Sequence, residues 1–349
     1  MRPTKLLLLA LVLGVAALLA LRWRPADHEV AEPKTALLTA AALDGARAIT
    51  LTLKPTGKST TLEKGADGVW TVKEKHGLPA DLENRLAPLF RSLQKAENFG
   101  VLTTNPKRIE KLALDSSLRL VGADGKTTEL TFGKTTDDGL GAAAILADGQ
   151  GGSPAIRTSF TGFLEADPVN WFDPVLFTAK PEELKGLVFT WADGTRAFAR
   201  PEKGKPFAGK EGALLEEMTN VLMTLRANDA VAKGDKDATA AFAKAWSIQL
   251  ELFDGAKVTV TFAKTAATTP NESPRLWMRV VHSDPKHKAN GMTAKAEFIA
   301  PPWLAEQLPA TLADFTKALE PPPAQPGPGA GPTLNIPGLG PVPAPPGVK

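Results

Sequence analysis

The stretch Leu118–Thr135, LRLVGADGKTTELTFGKT, decides the fold because it recurs. Ile248–Thr265 reads IQLELFDGAKVTVTFAKT and aligns with it without a gap, at an offset of 130. Seven of the 18 positions are identical: Leu120/Leu250, Asp124/Asp254, Gly125/Gly255, Thr131/Thr261, Phe132/Phe262, Lys134/Lys264 and Thr135/Thr265. In each copy apolar and polar residues alternate around an Asp-Gly pair. That is the pattern of a strand, a tight turn and a second strand.

Working outward, each hairpin has an apolar stripe upstream. Leu82, Leu86, Leu89, Phe90 and Leu93 recur as Leu214, Met218, Val221, Leu222 and Leu225 with the same spacing. The spacing i, i+4, i+7, i+8, i+11 predicts one face of an amphipathic helix packed on a sheet. Pro88 falls inside the first stripe and predicts a kink or a restart. Before each helix lie extended segments: 49–53, 60–63 and 69–72 in the first copy, 187–191, 195–199 and a weaker one near Phe207 in the second. After each hairpin come a further strand (143–147; 276–281) and a short apolar helix-like stretch (160–164; 303–308). Runs of strands with one long helix predict an α+β fold with antiparallel sheets, as two tandem repeats of one unit, rather than alternating βαβ.

Leu6–Leu21 is an unbroken apolar run of 16 residues, flanked by Arg2 and Lys5 and by Arg22, Trp23 and Arg24. At 1.5 Å per residue it spans roughly 24 Å, a deficit against a ~30 Å hydrocarbon core that snorkelling Lys5 and Arg22 cover. A cleaved signal peptide competes with this reading. However, the small pair Val15 and Ala17 lies inside the run, and the run ends in Arg-Trp-Arg. The expectation is therefore an uncleaved single-pass anchor in the inner (cytoplasmic) membrane, touching the bilayer through residues 6–21. The soluble, periplasmic part would stand outside the cytoplasm. The expected organisation is an anchor over 1–24, a tether over 25–38, repeat units over 39–178 and 179–319, and a disordered, low-complexity Pro/Gly-rich tail over 320–349. Residues 321–349 hold 11 of the 30 prolines and 6 of the 30 glycines.

The formal net charge is +3, yet Arg2, Lys5, Arg22 and Arg24 alone supply four positive charges and residues 1–24 contain no acid. The remainder carries −1, which disfavours nucleic acid as a partner. The chain has no cysteine and no tyrosine. Disulfides, cysteine-ligated metals, thiol catalysis, lipid attachment through cysteine and phenolic acid–base chemistry are thereby excluded.

The remaining chemistry-bearing residues read as structural. Seven Asp-Gly pairs, at Asp44, Asp67, Asp124, Asp138, Asp148, Asp193 and Asp254, are expected to be turns. Gly122–Thr127 resembles a phosphate loop only faintly, because Leu120 stands where its first glycine is needed and Ala256 replaces Lys126 in the second copy. His282 and His287 lie in HSDPKHK, read as a loop, while His28 falls in the tether and His76 stands alone. No metal set, cofactor motif or catalytic set is expected. Trp70, Trp171, Trp191, Trp246, Trp277 and Trp303 are expected in the core; several on one exposed face would suit sugar stacking.

These residues resemble a bacterial family known as domain of unknown function 4340. The resemblance rests on the N-terminal apolar run, Leu43-Asp44-Gly45 leading to the strand ending at Leu53, and Gly68-Val69-Trp70-Thr71-Val72. Ala80-Asp81 before the leucine stripe, Leu114-Asp115, Phe132-Gly133-Lys134 and Asn170-Trp171-Phe172-Asp173 extend it. Residues 1–200 carry it most fully. Where the family usually has Tyr-Gly-Leu, this chain has Leu112-Ala113-Leu114. The resemblance implies membrane anchoring, an uncharacterised activity and an association with ABC-type transport components of the gliding-motility kind. The leading functional expectation is a non-enzymatic, membrane-anchored accessory or scaffold protein with protein partners in the cell envelope. An envelope glycan- or ligand-binding module and a hydrolase with carboxylates drawn from distant strands are the alternatives.

Overall fold

The computed structural model describes residues 34–135, 139, 141–147, 153–161, 164–265, 274–320, 333–336 and 340–343. The fold is mixed α/β with mostly antiparallel sheets, and the chain divides into two units at Phe172/Asp173.

In the first unit the strands are β1 (Thr35–Ala36), β2 (Ala46–Leu53), β3 (Lys58–Lys64), β4 (Trp70–Val72), β5 (Leu78–Pro79), β6 (Glu97–Thr103), β7 (Ser116–Gly122), β8 (Thr127–Thr135), β9 (Ala142–Ala147) and β10 (Ala155–Thr158). They form one sheet in the order β1-β6-β10-β9-β8-β7-β2-β3-β4-β5. Strand β7 pairs antiparallel with both β2 and β8, setting Ile49 opposite Leu120 and Leu118 opposite Leu130. Ile49, Leu51, Leu118 and Leu130 are fully buried, so period-2 alternation fixes the register: a one-residue slip would turn these side chains to water. The helices are α1 (Ala40–Asp44), α2 (Ala87–Lys95) and α3 (Pro106–Ile109).

Pro88 acts as its position predicts. Leu82–Leu86 forms a π turn in which Leu86 N–H donates to Asp81 O, and α2 then starts with Pro88 in its first turn. Proline has no N–H, and the first turn is where a helix can spare that donor. Leu86 and Leu93 are buried, whereas Leu82 is 54% exposed and lies off the packed stripe.

In the second unit the strands are β11 (Val175–Thr178), β12 (Leu184–Trp191), β13 (Gly194–Ala199), β14 (Thr224–Arg226), β15 (Asp229–Ala232), β16 (Trp246–Leu252), β17 (Lys257–Lys264), β18 (Leu276–His282) and β19 (Ala296–Ile299). Seven of them form a sheet in the order β13-β12-β16-β17-β18-β19-β15, and β11 pairs with β14. The helices are α4 (Gly212–Leu222), α5 (Lys236–Phe242), α6 (Lys288–Lys295), α7 (Leu304–Gln307) and α8 (Leu312–Ala318). Buried and half-buried residues alternate strictly along β16, with Ile248 opposite Val260 and Leu250 opposite Val258.

Several expectations are corrected. Phe160, Thr161 and Leu164 are not helical; Phe160 and Leu164 are simply buried from an irregular chain. Phe207 is buried in a loop, not a strand. The stripe of the second long helix is rotated: Leu215, Met218, Thr219 and Leu222 are buried, and Leu225 belongs to β14. Residues 175–178 pair with β14 and so belong to the second unit, not to the end of the first. Asp44-Gly45 closes α1 rather than a hairpin.

Within the tail expected to lack structure, β20 (Thr333–Ile336) and β21 (Gly340–Pro343) pair as an antiparallel hairpin. No helix among the described residues is long and apolar enough to cross a membrane. The run Leu6–Leu21 and the tether to residue 33 lie outside the described residues.

Candidate functional site

A groove of about 460 Å3 lies in the second unit, between α4 and the two C-terminal helices. Its making starts at β12. Phe189, Trp191 and Phe198 pack around Phe315 of α8, with ring centroids 5.5–5.6 Å from it. Trp191 Nε1 donates to Pro309 O at 3.0 Å, and Leu312 N–H donates to Asp193 Oδ1 at 3.2 Å. These contacts seat the α7–α8 connection on the β12–β13 hairpin. Thr311 starts α8 as an N-cap, its Oγ1 accepting from Asp314 N–H.

Leu214, Met218, Leu308 and Pro309 give the groove its apolar floor. Glu217 from α4, Glu306 from α7 and Asp314 from α8 stand around it, all exposed. Among the described residues none of these three carboxylates has an ion-pair partner. Lys264 is the cation at the groove; its Nζ donates to Ala305 O at 3.1 Å and lies 5.6 Å from the Trp246 ring centroid. Sequence reasoning passed over these three acids. The Thr311-x-x-Asp314 spacing is the signal that would have found α8.

Other charged clusters fasten elements together. Glu297 on β19 is fully buried and accepts from Arg279 Nε and Nη2, each at 2.7 Å, with Lys233 Nζ at 3.1 Å. Burial pushes its carboxyl up, but the hydrogen bonds from Arg279 and Lys233 outweigh that and hold it below the usual carboxylate range. The Arg279 guanidinium stacks 3.7 Å from the Phe242 ring centroid, drawing α5 onto the same network. Arg200, almost buried, donates to Pro181 O and to Glu216 Oε2, both at 2.6 Å, and Glu216 Oε1 accepts from Phe207 N–H. In the first unit Lys58 and Asp167 form a short ion pair; the hydrogen bond from Lys58 is the main cause of the lowered Asp167 pKa.

The structure brings His282 and His287 together. Their rings stack with centroids 4.2 Å apart and planes 14° apart, and Phe177 lies 6.4 Å from each. His282 Nδ1 accepts from Asp284 N–H at 2.9 Å, and His287 Nδ1 accepts from Ala289 N–H at 3.2 Å as the N-cap of α6. Both Nδ1 lone pairs are thus committed to backbone, leaving the neutral rings with their protons on Nε2. His76 sits at a left-handed turn, and His28 lies outside the described residues.

The Asp-Gly pairs mostly serve as turns. In Gly122–Lys126 and Leu252–Ala256 the aspartate Oδ1 accepts from the N–H two residues on. Gly125 and Gly255 hold φ of 77° and 91°, which a side chain would strain. Asp67 and Asp193 turn hairpins too, while Asp138 and Asp148 lie outside the described residues. Of the tryptophans, Trp70, Trp171, Trp191, Trp246 and Trp277 are buried and Trp303 is 49% exposed. A sugar-stacking platform of several tryptophans is not assembled among the described residues.

Residues 70–244, half of the chain, match the model of the family described as Domain of unknown function (DUF4340). The chain belongs to this family. The DUF4340 match begins at β4 and ends just before β16, so it takes in residues of both units. No curated protein and no solved structure gives a significant match.

Proposed function

We propose that this DUF4340 protein is a membrane-anchored, extracytoplasmic accessory or scaffold protein of an envelope complex, built from two copies of one α+β unit. The observation that supports the two-copy part of this reading is the strand order. Seven strands of the first sheet run β3-β2-β7-β8-β9-β10-β6, and the second sheet runs β13-β12-β16-β17-β18-β19-β15. The intervening elements agree as well. In each unit a hairpin precedes a long helix (α2; α4), which is followed by the strand at the far end of this order, a short helix (α3; α5) and the second hairpin; β4 and β5 are added before the helix in the first unit and β14 after it in the second. With the ungapped alignment of Leu118–Thr135 on Ile248–Thr265, this agreement supports duplication.

Fold alone does not name an activity. The apolar run Leu6–Leu21 supports anchoring, and the groove floored by Leu214 and Met218 supports a role in holding partners. The family resemblance makes ABC-type transport components of the gliding-motility kind the first partner class to examine. Crosslinking in intact cells, followed by detergent purification of the tagged chain from membranes, tests the reading. A defined membrane-protein partner is expected; recovery of free monomer alone would contradict it.

A further inference from the structure

The groove of the second unit carries a statement about the partner's chemistry. We propose that it docks a cationic, apolar polypeptide segment of a partner protein. Half-buried Leu214, Ala305 and Ala310 offer apolar contacts at the groove, above the buried Met218 and Leu308. Glu217, Glu306 and Asp314 surround them with three negative charges against the single ammonium of Lys264, which is already held by Ala305 O.

The sign of this field rejects nucleic acid and anionic lipid surfaces, both of which carry negative charge. The spacing rejects a single ion: no group of three acidic or histidine side chains among the described residues is close enough to hold a metal. Carboxylates spread around an apolar floor instead match cations spread along a peptide whose apolar side chains enter between them. A volume near 460 Å3 accommodates a few such side chains.

This inference deepens the scaffold reading by naming the partner's chemistry, yet its test needs no membrane partner. The purified full chain is titrated with a fluorescent peptide of alternating lysine and leucine, with a glutamate–leucine peptide as the control. Saturable binding of the lysine peptide is expected, weakening as salt rises. The exposed-site variant E217Q/E306Q/D314N should bind it roughly tenfold more weakly while keeping the same circular dichroism. Equal affinity in the variant, equal binding of the glutamate peptide, or no saturable binding overturns the proposal. So does binding that emerges only after residues 321–349 are removed, since the chain's own tail would then hold the groove. Any of these failures leaves the envelope reading standing, because that reading is judged by recovery from membranes.

Discussion

Ala113 shows how one residue can stand where another is wanted. Its φ is 47°, in the left-handed region that costs a side chain roughly 1 kcal/mol or more. This is the position at which the DUF4340 pattern resembled here carries glycine, and the backbone conformation supplies the reason. Ala113→Gly is expected to raise unfolding free energy by about 0.5–1 kcal/mol in urea titration, the relieved strain exceeding the added chain entropy. A loss would mean that this turn is not strained. Gly133 has a different reason, close approach rather than backbone conformation: a Cβ there would stand 2.3 Å from Leu112 O. Charges at residue scale divide by burial. Glu297→Ala should cost about 3 kcal/mol, because it leaves Arg279 and Lys233 facing an emptied buried site. Glu251→Ala, which breaks an exposed pair with Lys185, should cost under about 1 kcal/mol. The two losses can be compared in one denaturation series. Glu297 could not be read from sequence, since its partners sit 18 and 64 positions away and only sheet pairing assembles them.

At the scale of elements, legibility followed locality. Both repeated hairpins were readable because alternation and an Asp-Gly turn are contained in 18 residues. The restart at Pro88 was readable because the missing N–H acts within one turn. Helices α5, α6 and α8 were missed because they are short and begin at single caps, Asp235, His287 and Thr311. Strands β6 and β15 lack clean alternation and are defined by their neighbours. The groove was not legible at all, since it joins α4 to helices some ninety residues later in the chain.

Helix α6 also carries a pH dependence. Burial first, then the neighbouring His282 and Lys288, lowers the His287 pKa, against a smaller opposing effect of Asp284. A folded pKa below the unfolded value means that the unfolded chain binds more protons near pH 6.5. Stability from this group is therefore complete above that pH and is lost as pH falls. Protonation would also put a proton on the Nδ1 that caps α6. The melting temperature should fall between about pH 7.5 and about pH 5.5, above most carboxylate titration. His287→Asn, which keeps a cap acceptor, should reduce that fall. An unchanged slope in the variant would remove His287 as the cause.

For the whole molecule, charge and repetition tell one story. The +3 of the chain belongs to the residues flanking the apolar run, and the rest is slightly acidic, in keeping with a groove bordered by carboxylates. The tandem reading carries its own expectation. Because β1 to β10 pair only with one another, a chain ending at Phe172 should fold with strand-rich circular dichroism and a cooperative melt. A disordered product would contradict the independence of the first unit. The absence of cysteine permits the most direct test of the central claim, that two sheet units stand outside the cytoplasm on a membrane anchor. A single cysteine at the exposed position Glu202, as Glu202→Cys, is probed with a membrane-impermeant maleimide on spheroplasts, followed by alkaline carbonate extraction of the membranes. The account predicts labelling before lysis, on a chain that stays in the membrane pellet; labelling only after lysis, or a chain released into the wash, would contradict it.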